Sequence, residues 1–146
     1  MNPELPVFVD SVYLIASFDP LDQWNESAAE FADLYETRSL LTTDGIIGEF
    51  LAHCSRLSHE RRRSAARLAQ QLRSNDRIEV VALTSALVDD AISAFGGEFR
   101  YSRLSLHDCI SILVMRERGI VDALTADREF SLAGINVLMQ APTARS

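Results

Sequence analysis

Four acidic residues stand at positions from which metal chemistry could be run. Asp10 closes the apolar run Leu5–Val9, and Asp127 follows the run Val121–Thr125. Glu49 lies one to two turns inside the helical segment that begins near Thr43, and Asp108 lies in the first turn of the helical segment Leu106–Arg118. In open α/β sheets ligands bind beyond the carboxyl ends of the strands. This spacing lets all four carboxylates point at one such edge. Acids crowded there repel one another unless a cation neutralises them. Hard oxygen ligands suit Mg²⁺, with Mn²⁺ as the alternative. A bound divalent ion lowers the pKa of its water, and a second, about 3.5–4 Å away, stabilises a leaving oxygen. The chemistry such a site permits is metal-assisted hydrolysis. In that scheme Asp10 and Asp108 hold the main ion, while Glu49 and Asp127 position water or a second ion.

Each acid also has a local structural use. Asp10 and Asp127 can cap the helices that follow them, Glu49 can sit on a solvated helix face, and Ser105-x-x-Asp108 has the form of a capping box. No Ser-His-Asp or Cys-His arrangement competes as a nucleophilic site. His53 and His59 lack Cys or His partners at zinc spacing. Gly45 and Gly48 open a helix but do not form G-x-G-x-x-G. His107 adjoins Asp108, yet on a helix it points about 100° away.

The elements that must position these acids alternate. Strands are predicted over Leu5–Val9, Ser39–Thr42, Ile78–Leu83, Val121–Thr125 and Ile135–Leu138, all short and apolar. Helices are predicted over Ser11–Phe18, stopped at Asp19-Pro20, and over Glu26–Arg38, with Phe31, Leu34 and Tyr35 on one stripe. The next is capped by Thr43 or Asp44 and carries Ile46, Ile47, Phe50, Leu51 and Cys54 inward. A long Arg-rich helix spans Ser58–Arg73, with Ala65, Leu68, Ala69 and Leu72 inward. Ser85 caps a helix to Phe95, ended by Gly96-Gly97. Ser105 caps Leu106–Arg118, closed by Gly119, and this helix is apolar nearly all round. A single short helix ending at Gly134 precedes the last strand. Such alternation calls for a parallel sheet with helices on both faces.

Length and composition set the outer limits. A chain of 146 residues is one domain at roughly 100–200 residues each. With 47% hydrophobic and 24% charged residues it has the composition of a globular core. No apolar run approaches the roughly 20 residues of a membrane span. The N-terminus lacks a signal-peptide pattern, so a cytoplasmic location is expected. The two cysteines, Cys54 and Cys109, are expected as buried free thiols. Net charge is −7, and all 14 basic residues are arginine. Without lysine, Schiff-base and P-loop chemistry are excluded from this chain. An acidic chain binds a polyanion only through a local Arg patch or through metal ions. Arg61-Arg62-Arg63 with Arg67, and Arg100 with Arg103, are the candidate patches. Trp24, in the polar loop D-Q-W-N-E, reads as a partner contact or as an anchor of its loop.

The segments V-F-V-D at 7–10, T-T-D-G-I-I-G-E-F-L at 42–51, S-L-H-D-C-I-S-I-L-V-M-R-E-R-G-I at 105–120 and L-T-A-D-R-E-F at 124–130 carry a family resemblance. Together they resemble the PIN domain, in particular the VapC-like toxins of type II toxin–antitoxin pairs. The likeness runs from about residue 6 to 139, and the last two segments are its specific part. It implies a three-layer α/β/α fold with a central parallel sheet of four to five strands. It further implies a metal-dependent endoribonuclease with metal ligands at Asp10, Glu49, Asp108 and Asp127, and with Thr125 as the hydroxyl residue before the fourth acid. An RNA substrate, an antitoxin protein partner and a homodimer are implied in the same way. Two related readings are a PIN nuclease in housekeeping RNA processing and a non-catalytic interaction domain on the same fold. A phosphoacceptor receiver module, also acidic and α/β, would need a lysine near its acceptor aspartate.

Overall fold

The computed structural model of the chain describes residues 5–34 and 36–139. Tyr35, expected on an inner stripe, and the tail after Met139 lie outside the described residues.

A five-stranded, all-parallel sheet forms the middle layer. Its strands are β1 (Val7–Val9), β2 (Leu40–Thr43), β3 (Ile78–Val81), β4 (Asp122–Leu124) and β5 (Asn136–Val137). The six α-helices among the described residues are α1 (Ser11–Phe18), α2 (Asn25–Leu34), α3 (Asp44–Cys54), α4 (His59–Ser74), α5 (Ser85–Gly96) and α6 (Leu106–Arg118). A short 3₁₀ helix spans Arg128–Ala133. Helices α1 and α3 pack together, as do α3 and α4, while α5 packs on α6. Parallel strands need such crossovers, because consecutive ends lie at opposite edges of the sheet.

Strand order is β3-β2-β1-β4-β5. From β1 the chain builds outward through β2 to β3, then returns to the other side of β1 with β4. Direction therefore reverses between β1 and β4, and the crevice beyond their carboxyl ends is where a ligand site is expected. Register sets β1 between its neighbours, with Phe8 opposite Leu41 on one side and Ala123 on the other.

Several boundaries differ from the sequence pattern. Strand β1 begins at Val7 because Pro6 has no N–H for a ladder. Helix α2 ends at Leu34 instead of Arg38. The Arg38 guanidinium instead donates to the Leu5 carbonyl at 2.6 Å, tying the entry to β2 beside the entry to β1. Helix α5 is capped by Thr84, not Ser85: the Thr84 hydroxyl accepts from the Leu87 N–H at 3.1 Å. Thr43 caps α3, leaving Asp44 free to pair with Arg73. Leu51 is turned outward on α3, while Ile46, Ile47, Phe50 and Cys54 are buried.

The apolar helix is the most buried, as its composition requires. Cys109, Ile110, Ser111, Ile112, Val114 and Met115 of α6 are all buried. Gly119 closes it at φ +69°, a left-handed conformation that costs glycine little. Both cysteines are buried and free. Among the described residues, no helix is long and apolar enough to cross a membrane.

Candidate active site

Backbone geometry delivers the first acid. Asp10 leaves β1 in extended conformation and caps α1, its Oδ1 accepting from the Ser11 N–H at 2.9 Å. Its Oδ2 accepts from the Thr125 hydroxyl at 2.6 Å, across the β1–β4 junction. Thr125 is fully buried just past the end of β4. The same hydroxyl oxygen accepts from the Asp127 N–H at 3.2 Å. One side chain thus couples the acid after β1 to the acid after β4.

Asp108 and Asp127 are held by their own helix ends. Asp108 Oδ2 accepts from the Ser105 N–H at 2.9 Å, and the Ser105 hydroxyl accepts from the Asp108 N–H at 3.1 Å, a complete capping box. Asp127 Oδ1 accepts from the Glu129 N–H at 3.0 Å and starts the 3₁₀ helix. The local uses of Asp10, Asp108 and Asp127 read from the sequence are therefore real. They account for one face of each carboxylate and fix its direction.

Glu49 differs. It is half-buried in α3 and takes a hydrogen bond from the Ser11 side chain, yet its Oε1 is buried without any partner. A buried carboxylate oxygen with nothing to accept costs free energy. A cation would repay that cost.

The four acids feel one another. Burial pushes the Asp10 carboxyl up to about 6, against the hydrogen bonds from Thr125 and Ser11 that favour its ionised form. The charges of Asp108 and Glu49 add to the rise. Burial likewise raises Glu49, with the Asp108 charge second. Burial raises Asp108 too, opposed by its Ser105 bonds and reinforced by the Asp127 charge. Every acid is thus tied to at least one other through its field. Like charges from β1, α3 and α6 thus act on one another across the elements. Among the described residues, no three His, Cys, Asp or Glu side chains already form a closed cation cage.

Other sequence candidates fall outside this group. His107 lies against α3, where a Cβ on Gly45 would stand 3.0 Å from its Nδ1, so a side chain there would push the His107 ring aside by a few tenths of an ångström. Arg61 lies 5.0 Å over the Phe18 ring, and Arg62 donates to the Ser55 carbonyl. The arginine run is partly consumed by structure. Arg100 stacks 4.6 Å from the centre of the exposed Tyr101 ring. The Arg103 N–H donates to Glu129 Oε2 at 2.8 Å, which joins the loop before α6 to the 3₁₀ helix after Asp127. The contacts of Ser11 with Glu49 and of Glu129 with Arg103 were not legible in the sequence. Neither has a spacing signal, because both act across elements.

The PIN domain family matches residues 7–136, nearly the whole described chain. The chain belongs to the PIN domain family. No curated protein matches it. Among solved structures, this PIN domain is similar to VapC20 of Mycobacterium tuberculosis, a toxin that cleaves the sarcin–ricin loop. The TM-score is 0.76 at 24% identity, over 89% of this chain and 96% of that one. At that identity the likeness is one of fold. The five parallel strands and the helices around them are the PIN architecture that the sequence motifs implied.

The Thr125 bridge makes a prediction about this PIN domain. Thr125→Val keeps the shape but removes a hydroxyl bonded to a carboxylate. Hydrogen bonds to charged groups are worth about 1.5–3 kcal/mol. A loss of that size is expected at pH 7.5, where Asp10 is ionised, and a smaller one at pH 4.5. Urea unfolding at both pH values checks it. Equal losses would show that Thr125 serves packing alone.

Proposed function

We propose that this PIN domain, with its core over about residues 6–139, is a metal-dependent endoribonuclease and the toxin of a toxin–antitoxin pair. One observation supports the reading: the charges of Asp10, Glu49, Asp108 and Asp127 act on one another around the ends of β1 and β4, and Glu49 Oε1 is buried without a partner. Four carboxylate oxygens form a hard donor set that fits Mg²⁺, or Mn²⁺ in its place. Asp10 and Asp108 would hold the main ion, and Glu49 and Asp127 a second ion or the attacking water. When bound, such an ion supplies Lewis-acid charge at a phosphoryl oxygen and acidifies water.

This chain's own residues do the rest. The Thr125 hydroxyl holds Asp10 in place and favours its ionised form against the effect of burial, through its 2.6 Å hydrogen bond. The Ser105 box fixes the direction of Asp108. Burial of Asp10 keeps bulk water from screening the charges. The reading needs no covalent nucleophile from the chain: water attacks the phosphorus and gives up a proton to solvent, and the ribose oxygen leaves and takes one up. An acidic toxin of this kind acts on RNA in the cytoplasm, as a homodimer restrained by its antitoxin.

The test is a transcriptome-wide map of cleaved ends, made with purified protein in Mg²⁺, Mn²⁺ and EDTA side by side. Cuts confined to a few RNA sites, and lost in EDTA, are expected. Cleavage unchanged by EDTA would end the metal assignment, and no cleavage in any condition would end the nuclease reading.

A further inference from the structure

The segment from Thr125 to Arg128 is a wall with two sides. Thr125 turns towards Asp10. In extended chain successive side chains face opposite ways, and Ala126, next to Thr125, lines a separate cavity of about 420 Å³ together with Arg128 at the start of the 3₁₀ helix. Its other walls include Trp24 from the α1–α2 loop, Ser131 from the 3₁₀ helix, Asn136 and Val137 of β5, and Met139 beyond it. The volume lies within the roughly 300–1,000 Å³ of small-molecule sites. In a chain of net charge −7, the lining holds one arginine and no carboxylate. Arg128 is exposed and makes no salt bridge among the described residues. Trp24, half-buried, packs against the core from the loop side.

These surfaces match the parts of a nucleotide. A planar indole beside aliphatic side chains accepts a base face. A free guanidinium at the end of the acidic segment accepts a phosphate. Unpaired RNA bases are bound in this way, stacked on aromatic side chains while cations follow the backbone. The lining mixes apolar side chains with Ser131 and Asn136 and carries a single charge, Arg128, so it offers a basic peptide no carboxylate to pair with.

We propose that this cavity is a nucleobase subsite, where one unpaired base of an RNA strand stacks on Trp24 and its phosphate meets Arg128. The proposal rests on the ribonuclease reading, which places the scissile phosphate on the other side of the same wall. A strand crossing Thr125–Arg128 sets a neighbouring base in the cavity, so the cavity selects which sequence is cut.

Trp24 is the sole tryptophan of the chain, so its fluorescence reports the cavity directly. AMP, GMP, CMP and UMP are titrated in Mg²⁺, with ribose 5-phosphate as the control without a base. Saturable quenching by at least one mononucleotide, and none by ribose 5-phosphate, is expected. Binding of a fluorescein-labelled, unstructured RNA octamer is then followed by anisotropy in EDTA, where the strand stays intact. Trp24→Ala weakens it about 5- to 100-fold, the range for one lost stacking contact, and Trp24→Tyr restores most of the affinity. Ser131→Phe, which fills the cavity from an exposed position, weakens it without touching Trp24. Arg128→Gln lowers the salt slope of binding by about 0.7. Quenching by ribose 5-phosphate alone, equal affinity for Ser131→Phe and wild type, or stronger quenching by a hexapeptide than by any nucleotide would overturn the subsite. RNA cleavage with no Trp24 quenching would refute the subsite and leave the nuclease reading standing. Nucleotide quenching without RNA cleavage would do the reverse.

Discussion

Asp10→Asn and Asp108→Asn each lower RNA cleavage by more than about 100-fold while leaving the metal-free fold intact. Outer-shell changes around a metal typically cost about 10–100-fold, and these two residues are proposed as direct ligands. The amide keeps the shape of the carboxylate. In Asp10→Asn the carbonyl can still cap α1 at the Ser11 N–H, and in Asp108→Asn it can still accept from the Ser105 N–H. What is lost is a negative charge in a crowd of like charges. Metal-free stability at neutral pH is therefore unchanged or raised, most of all for Asp10→Asn, because Asp10 is the most deeply buried of the four. Single-turnover cleavage and thermal melts, with and without EDTA, give the two readouts. A variant that melts well below the wild type in EDTA would show that its acid is first a helix cap. A variant that still cleaves at the wild-type rate would remove that acid from the site.

The second large effect is on stability against pH. The Asp10 carboxyl has an ordinary value of 3.8 and is raised to about 6 in the fold. Between those values the folded state binds more protons than the unfolded state, so stability falls as pH rises. The contribution is fully present below the unfolded value and is lost by the time pH passes the folded one. A shift of about two units corresponds to about 3 kcal/mol at 1.36 kcal/mol per unit. For a domain of this size that is roughly 6–12 °C in melting temperature. Glu49 and Asp108, both raised, add in the same direction. Glu79 and Glu98 are lowered by Arg118 and Arg116, and they act oppositely below the ordinary glutamate value. Those two pairs are exposed and weak. Metal-free protein is thus expected to melt higher near pH 4.5 than near pH 7. Millimolar Mg²⁺ should raise the pH 7 value and flatten the profile, since cations bind the ionised site. Melting curves from pH 4 to 8 in EDTA and in Mg²⁺ check both signs. A melting temperature in EDTA that rises steadily from pH 4.5 to 7 would contradict the burial of Asp10.

Local rules in the chain determined most of the scaffold. Apolar runs of three to five residues alternating with capped, periodic segments specify a parallel α/β sheet, because neither element can bury its apolar face alone. Caps at Thr43, Ser58 and Ser105, and the left-handed glycines Gly119 and Gly134, mark helix ends within the sequence itself. Asp10 and Asp127 were legible as strand-end acids for the same reason: position after a strand is a local property. Where local signals were ambiguous, the pattern was less reliable. Thr84 and Ser85 are both good caps, and only the backbone conformation at Thr84 chooses between them.

Tertiary structure decided the rest. Strand order is not local, so that β1 and β4 are neighbours, and hence that Thr125 reaches Asp10, follows only from the assembled sheet. Glu49 and Asp108 come from helices on different strand connections, and only packing brings their fields together. The raised Asp10 carboxyl is a consequence of burial, which no single segment contains. Trp24 shows the same limit. Its sequence context left it a loop residue of uncertain use, and the fold sets it beside Arg128, because a cavity belongs to the space between elements and to none of them alone.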